Sequence, residues 1–232
     1  MKTLNFFLLF FTTILSINGQ DSICGTKNYM QQIAINDPTY QQKLVSMEIE
    51  LQNYILNNTI NTTIIEIPCV VHVLYNNLYD SLQNITDTQI HEQISLLNRD
   101  FRKLNGDKDS IPGVFQNRVA DMQMEFCLKG ITRTETNYFG YYGNYVKSDY
   151  TGGKSPWDTK YYLNIWICNL AGGLLGYAQF PNLGPDSTDG VVVDFETIGE
   201  DTSRWNLPYN NYSGRVLQHE VGHWINLRHI WG

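Results

Sequence analysis

The final stretch of the chain, HEVGHWINLRHIWG, holds three of its five histidines: His219, His223 and His229. His219 and His223 stand four residues apart, which on an α-helix puts both imidazoles on one face a single turn apart, where they can share a metal ion. That pair alone would be weak evidence, because short HExxH matches arise by chance. The third histidine turns a pair into a ligand set. Glu220 projects beside the pair without taking a ligand position, within reach of a water on the metal. His229 lies six residues beyond His223, too far along to ligate from a straight helix, so the chain has to turn back. The helix face Val216, Leu217, Glu220, Val221, Trp224, Ile225 runs out at Asn226. Asparagine is second to glycine in tolerating the left-handed backbone angles that would swing His229 round. Three neutral imidazoles with an open fourth position describe a catalytic zinc, since a structural zinc is closed by four protein ligands.

HEVGHWINLRH resembles the extended metzincin zinc signature HExxHxxGxxH, and within that clan the chain resembles the pappalysin-type zinc metalloproteases, the pappalysin/ulilysin family. IPCVVHVLY, LNRDFRKLN, GITR, LNIWICNLAGGLLGYAQFP, DGVVVDF and HEVGHWINLRHIWG resemble family segments in the expected order, over most of residues 65 to 232. The family's glycine is here Asn226. The chain also stops three residues after His229, ahead of the family's methionine turn, downstream tyrosine, and disulfide-bearing and calcium-binding segments. The resemblance implies an α/β (α+β), zincin-like fold: a twisted mixed β-sheet with a backing helix and an active-site helix, the lower metzincin subdomain missing.

It also implies a secreted zinc-dependent endopeptidase, a hydrolase whose partner is a protein or peptide substrate. Zinc lowers the pKa of its water from 15.7 toward about 7, Glu220 takes the proton, the hydroxide attacks a peptide carbonyl, and Glu220 returns the proton to the leaving amine. The alternative is a truncated, catalytically incompetent zinc-binding protein. Zinc is the implied cofactor; calcium is a further possibility that nothing within this chain supports, because a turn explains Asp186 and Asp189 in GPDSTDG more cheaply.

Precursors of this family can carry a cysteine whose thiolate caps the zinc, which makes Cys24, in the polar segment SICGT, a candidate cysteine switch; a plain free cysteine is the other reading. The family places its substrate-binding edge strand at GLLGYAQFP, so Gly176, Tyr177 and Ala178 are candidates for the substrate cleft, where an extended peptide would add as a strand. His72, among valines in a strand, and His91, on the polar face of a helix, are not expected ligands. Cys69, Cys127 and Cys168 sit in apolar runs, and buried thiols or disulfides both fit there.

Around these residues the chain reads as an ordinary globular protein, 42% hydrophobic and 17% charged. A net charge of −7 with no basic run argues against nucleic acid as a partner. Residues 1–19 read as a secretory signal peptide: one lysine, an apolar core too short to span a bilayer, then small and polar residues. No membrane association is expected once it is removed. Residues 20–63 read as a propeptide, one helical stretch, PTYQQKLVSMEIELQNYILNN, dissolving into NNTINTT. Residues 64–232 form the N-terminal, upper part of the catalytic domain. Within it IIEIPCVVHVLY predicts a central strand. ITDTQIHEQISLLNRDFRKLNGD predicts a backing helix, with a Thr86–Gln89 capping box and a stop at Gly106. DMQMEFCLK, YLNIWICNL, LLGYAQF and DGVVVDF predict further strands, and a helix from about Ser213 to Asn226 carries the zinc motif.

Overall fold

The structure is a computed structural model that describes residues 23–58, 63–77, 81–200 and 214–229. The expected signal peptide lies outside the described residues. Five strands, β1 (Ile65–Tyr75), β2 (Met124–Glu135), β3 (Leu163–Cys168), β4 (Gly176–Ala178) and β5 (Val191–Asp194), form one sheet in the order β2-β1-β3-β5-β4. All neighbours are parallel except β4, which runs antiparallel to β5 at the edge. β3 and β5 are buried along their whole length. That is why LNIWIC and VVVD read as near-continuous apolar runs rather than alternating ones: helices or loops cover both faces.

On one face lies helix α3 (Asp87–Phe101), whose Ile90, Ile94, Leu97 and Phe101 pack onto Val71, Val73, Ile165 and Val193. The Thr86 hydroxyl accepts the Gln89 N–H at 3.2 Å, as the capping pattern predicts. The helix stops well ahead of Gly106. Lys103 takes the left-handed conformation (φ 53°), and the Leu104 N–H closes onto the Arg99 carbonyl. Helix α4 (Val216–Trp224) packs beside α3 through Val216, Leu217 and Val221. It is shorter than predicted, nine residues, because its apolar face ends where the chain reverses.

The N-terminal segment forms two helices where one was expected. Helix α2 (Tyr40–Asn57) follows its predicted spacing yet buries no residue. Helix α1 (Thr26–Asn36) precedes it and buries Thr26, Tyr29 and Met30 against the β4 edge of the sheet and its neighbours. TKNYMQQIAIN has a weak helical pattern, so tertiary contact rather than propensity makes this helix. All four cysteines are free thiols, with Cys69 and Cys168 buried as small hydrophobes in β1 and β3. No described helix is long and apolar enough to cross a membrane.

Candidate metal centre

Helix α4 is fixed by α3 before its histidines are placed. The buried Gln93 amide donates to the Gly214 carbonyl at 2.7 Å and accepts the Gly199 N–H at 2.7 Å, while Gln218 reaches Asp100 at 3.0 Å. At the other end Asn226 adopts φ 76°. Its N–H donates to the His223 carbonyl at 2.8 Å, and the next N–H, from Leu227, reaches back to Gly222 at 2.8 Å. This is a Schellman closure with asparagine in the place glycine usually takes. The reversal does two things. It swings His229 over the helix face, and it sets the Leu227 carbonyl 2.7 Å from His223 Nδ1. With its proton on Nδ1, His223 turns the Nε2 lone pair toward the other two rings.

The three Nε2 atoms lie 3.1 Å from one another. Cys24 Sγ lies 3.6 Å from His223 Nε2, and one donor atom from each of Cys24, His219, His223 and His229 falls within 4.8 Å of all the others. A tetrahedron with about 2.05 Å metal–nitrogen and 2.3 Å metal–sulfur bonds has nitrogen–nitrogen edges of about 3.3 Å and nitrogen–sulfur edges of about 3.6 Å. The donor set therefore fits zinc. Burial, and then the neighbouring imidazoles, hold His219 down to about 4; burial also lowers His223. Both rings are neutral near neutral pH, as ligation requires.

Cys24 reaches the centre because its segment runs along the sheet edge. It bridges Gly176 in parallel, the Leu175 N–H donates to the Ile23 carbonyl and the Gly25 N–H to the Gly176 carbonyl, both at 2.8 Å. Burial and the adjacent Glu220 push the Cys24 thiol up to about 12. Glu220, 1% exposed, lies beside Gly176, where any Cβ would come within 2.7 Å of its Cγ. The Thr26 hydroxyl accepts the Ala178 N–H at 2.9 Å and donates to Glu220 Oε2 at 2.9 Å. Burial raises Glu220 to about 8, against the hydrogen bonds from Thr26 and Cys24.

The expected residues thus come together with differences. Gly176 and Ala178 face the centre, whereas Tyr177 points through the sheet into the opposite cluster with Trp166. His72 is a core residue and His91 is exposed. Asp189 accepts the Trp224 indole N–H at 3.1 Å, and Asp186 opens a short turn. Thr26 was not anticipated, and no spacing pattern connects it to Glu220, 194 residues away.

The profile of the family described as pregnancy-associated plasma protein-A matches residues 146–232. A solved structure of a Tannerella forsythia promirolysin mutant is 40% identical, with TM-score 0.78, over 90% of this chain and 70% of that one. This chain belongs to the pappalysin family of metalloproteases. T. forsythia mature mirolysin, in complex with a cleaved peptide, is 44% identical with TM-score 0.67, over 73% of this chain and 66% of that one. An extracellular metalloprotease of Colletotrichum graminicola is 24% identical over 95% of this chain and 73% of its own length. One from Pyricularia oryzae is 29% identical over 69% of this chain, which spans 49% of it. The five-stranded, mostly parallel sheet with its helices matches the metzincin-like fold of these mirolysin structures.

Proposed function

We propose that this chain carries the zinc-binding part of a secreted endopeptidase held latent. In this reading His219, His223 and His229 are the metal ligands, Cys24 is the fourth ligand that blocks the water position, and Glu220 is the general base and acid. The observation that carries it is the convergence of three Nε2 atoms and a thiol delivered from an N-terminal segment lying along β4. Residues 1–19 would be the signal peptide, 20–63 the propeptide and 64–232 part of the catalytic domain. The promirolysin match, extending over 90% of this chain where mature mirolysin covers 73%, supports that division. The extracellular relatives support secretion.

A zinc ion held by these residues would supply a Lewis acid for the peptide carbonyl and make a bound water acidic near neutral pH. Glu220 Oε2 takes the proton and returns it to the leaving amine. Gly176 lets that carboxylate lie against the strand. The Gly176 carbonyl and Ala178 N–H, now engaged by Gly25 and Thr26, are the main-chain groups an extended protein or peptide substrate would pair with. Latency accordingly has two contacts: Cys24 on the metal position and Thr26 on the base.

Casein hydrolysis by protein cleared of the N-terminal segment is the test, run with and without a zinc chelator and beside Glu220→Ala. Activity should vanish with the chelator. Glu220→Ala should keep its zinc by elemental analysis and lose at least about a hundredfold in rate, the lower range for one acid–base group. Cys24→Ala should raise the activity of the uncut chain. Hydrolysis indifferent to both chelator and Glu220→Ala would overturn the reading.

A further inference from the structure

On the face of β4 turned away from the imidazoles, α1 delivers a second side chain into the catalytic part of the chain. Tyr29 stacks on Tyr177 with ring centroids 4.9 Å apart. Its hydroxyl donates to Asn144 Oδ1 at 2.7 Å and lies 3.5 Å from Gln179 Oε1. Beneath it Lys147, 3% exposed, donates to the phenol oxygen at 3.3 Å and to the Thr188 carbonyl at 2.6 Å. The Lys147 ammonium sits 4.8, 5.2 and 5.5 Å from the ring centroids of Tyr29, Trp166 and Tyr177, a cation among three aromatic rings.

Everything in this cluster except Tyr29 belongs to the stretch between Asn144 and Thr188. We propose that the place Tyr29 fills is a substrate subsite for a tyrosine side chain, with Lys147 as its floor. The proposal rests on the reading of residues 20–63 as a propeptide that leaves. Once Tyr29 is gone, Lys147 has lost an acceptor and one ring, and Asn144 has lost a donor. A buried polar group short of a partner is costly, so buried Lys147 selects an occupant that restores its acceptor, and Asn144 at the exposed rim adds an acceptor for that occupant's hydroxyl. It wants a six-membered ring to lie on Tyr177 and a hydroxyl that both accepts from Lys147 and donates to Asn144.

A carboxylate fits less well. Asn144 Oδ1, Gln179 Oε1 and the Thr188 carbonyl are acceptors that would face its oxygens, and the buried Asp189 already opposes the Lys147 charge. In the full chain a cleft of about 730 Å³ leads to Tyr29, walled on one side by Asn28, Gln32 and Ile33 of the N-terminal segment and on the other by Tyr142, Leu174 and Pro185, so removal of that segment leaves the second wall open to solvent. The place is also one helical turn from the strand rim, since Tyr29 N–H donates to the same Gly25 that pairs with Gly176. A peptide extended along β4 can therefore lower one side chain into it.

Two measurements test this. In the full chain, Tyr29→Ala leaves the vacancy with the segment still attached. Burial pushes Lys147 down to about 7, so at pH 6, where it keeps its proton, p-cresol should bind at least about tenfold more tightly than toluene, the ratio expected of one hydrogen bond to a charged group. Lys147→Met in the same background should erase that ratio, and exposed Asn144→Ala, which leaves the core intact, should reduce it. Equal binding of the two molecules, or binding of neither, overturns the proposal. In the second measurement a protease site inserted between Asn58 and Thr63 is cut after folding and the segment is removed. Paired peptides differing only in tyrosine or phenylalanine should then show, at one position, at least about a tenfold preference for tyrosine in KM, reduced in Asn144→Ala. Equal cleavage of every pair, or glutamate preferred over both, overturns it. A processed protein that cuts no peptide counts against the protease reading instead, and the cresol result then decides the pocket by itself.

Discussion

His72 and His223 are both shut away from solvent, 0% and 4% exposed, yet only one is arranged to ligate. His72 in β1 has Thr132 Oγ1 2.7 Å from one ring nitrogen and Asn164 Oδ1 3.0 Å from the other. Its hydrogen-bonding capacity is used up by the protein. His223 satisfies one nitrogen with the Leu227 carbonyl, and its second meets two other imidazole nitrogens and a thiol. Neutral rings cannot all donate to one another, and a shared cation is what would satisfy all of these lone pairs at once. Burial does not mark a ligand histidine; the partner of its second nitrogen does.

The difference can be broken at three points. Stripping zinc from the full chain should cost most. A site loaded a thousandfold above its dissociation constant contributes about 4 kcal/mol to folding, so thermal unfolding with and without a chelator should differ by at least that much. His223→Ala should abolish the difference, whereas His72→Phe should leave it intact; a chelator effect that survives His223→Ala would erase the contrast between the two rings.

Acid is the second lever. Burial holds His72 down to about 4, below the ordinary 6.5 it regains on unfolding. Between those values the unfolded chain binds the extra proton, so this stability is present above pH 6.5 and is lost as pH falls toward 4. The loss approaches about 3 kcal/mol. Denaturant titrations of the wild type and His72→Phe should diverge over that window, and parallel curves would show that His72 is not held neutral.

The smallest effect falls on the turn that brings His229 beside His223. Asn226 pays for a left-handed backbone and also buries an unpartnered Oδ1. Asn226→Gly should stabilise the chain by about 1 kcal/mol while retaining zinc, and Asn226→Val, which resists that conformation, should weaken zinc binding. Isothermal titration with zinc separates the two.

The convergence of the three imidazoles was legible in the sequence because its members are local: a four-residue spacing, a helix face and one residue suited to reversing the chain. The strands were legible for the same reason, β3 and β5 being near-continuous apolar runs broken only by Asn164 and Asp194. What stayed hidden depends on contacts between distant segments. Helix α1 has little periodicity of its own and exists through the burial of Thr26, Tyr29 and Met30. Thr26 has no neighbour in sequence that would point to Glu220. Cys24 could be singled out only through family resemblance, since strand pairing with Gly176 is what carries it to the imidazoles. The end of α3 was misplaced because Lys103, a residue without turn preference, takes the conformation that Gly106 was expected to supply.

The N-terminal segment grips the sheet edge at its beginning, through Ile23, Cys24 and Gly25, whereas its covalent connection to β1 leaves from its far end, beyond α2. Severing that connection therefore removes none of the bonds that hold Cys24 beside the imidazoles. It only turns an intramolecular partner into a separable one, whose hold then depends on dilution. A nicked species should persist after the cut, and the appearance of activity should lag behind the new band on a gel by the lifetime of that complex.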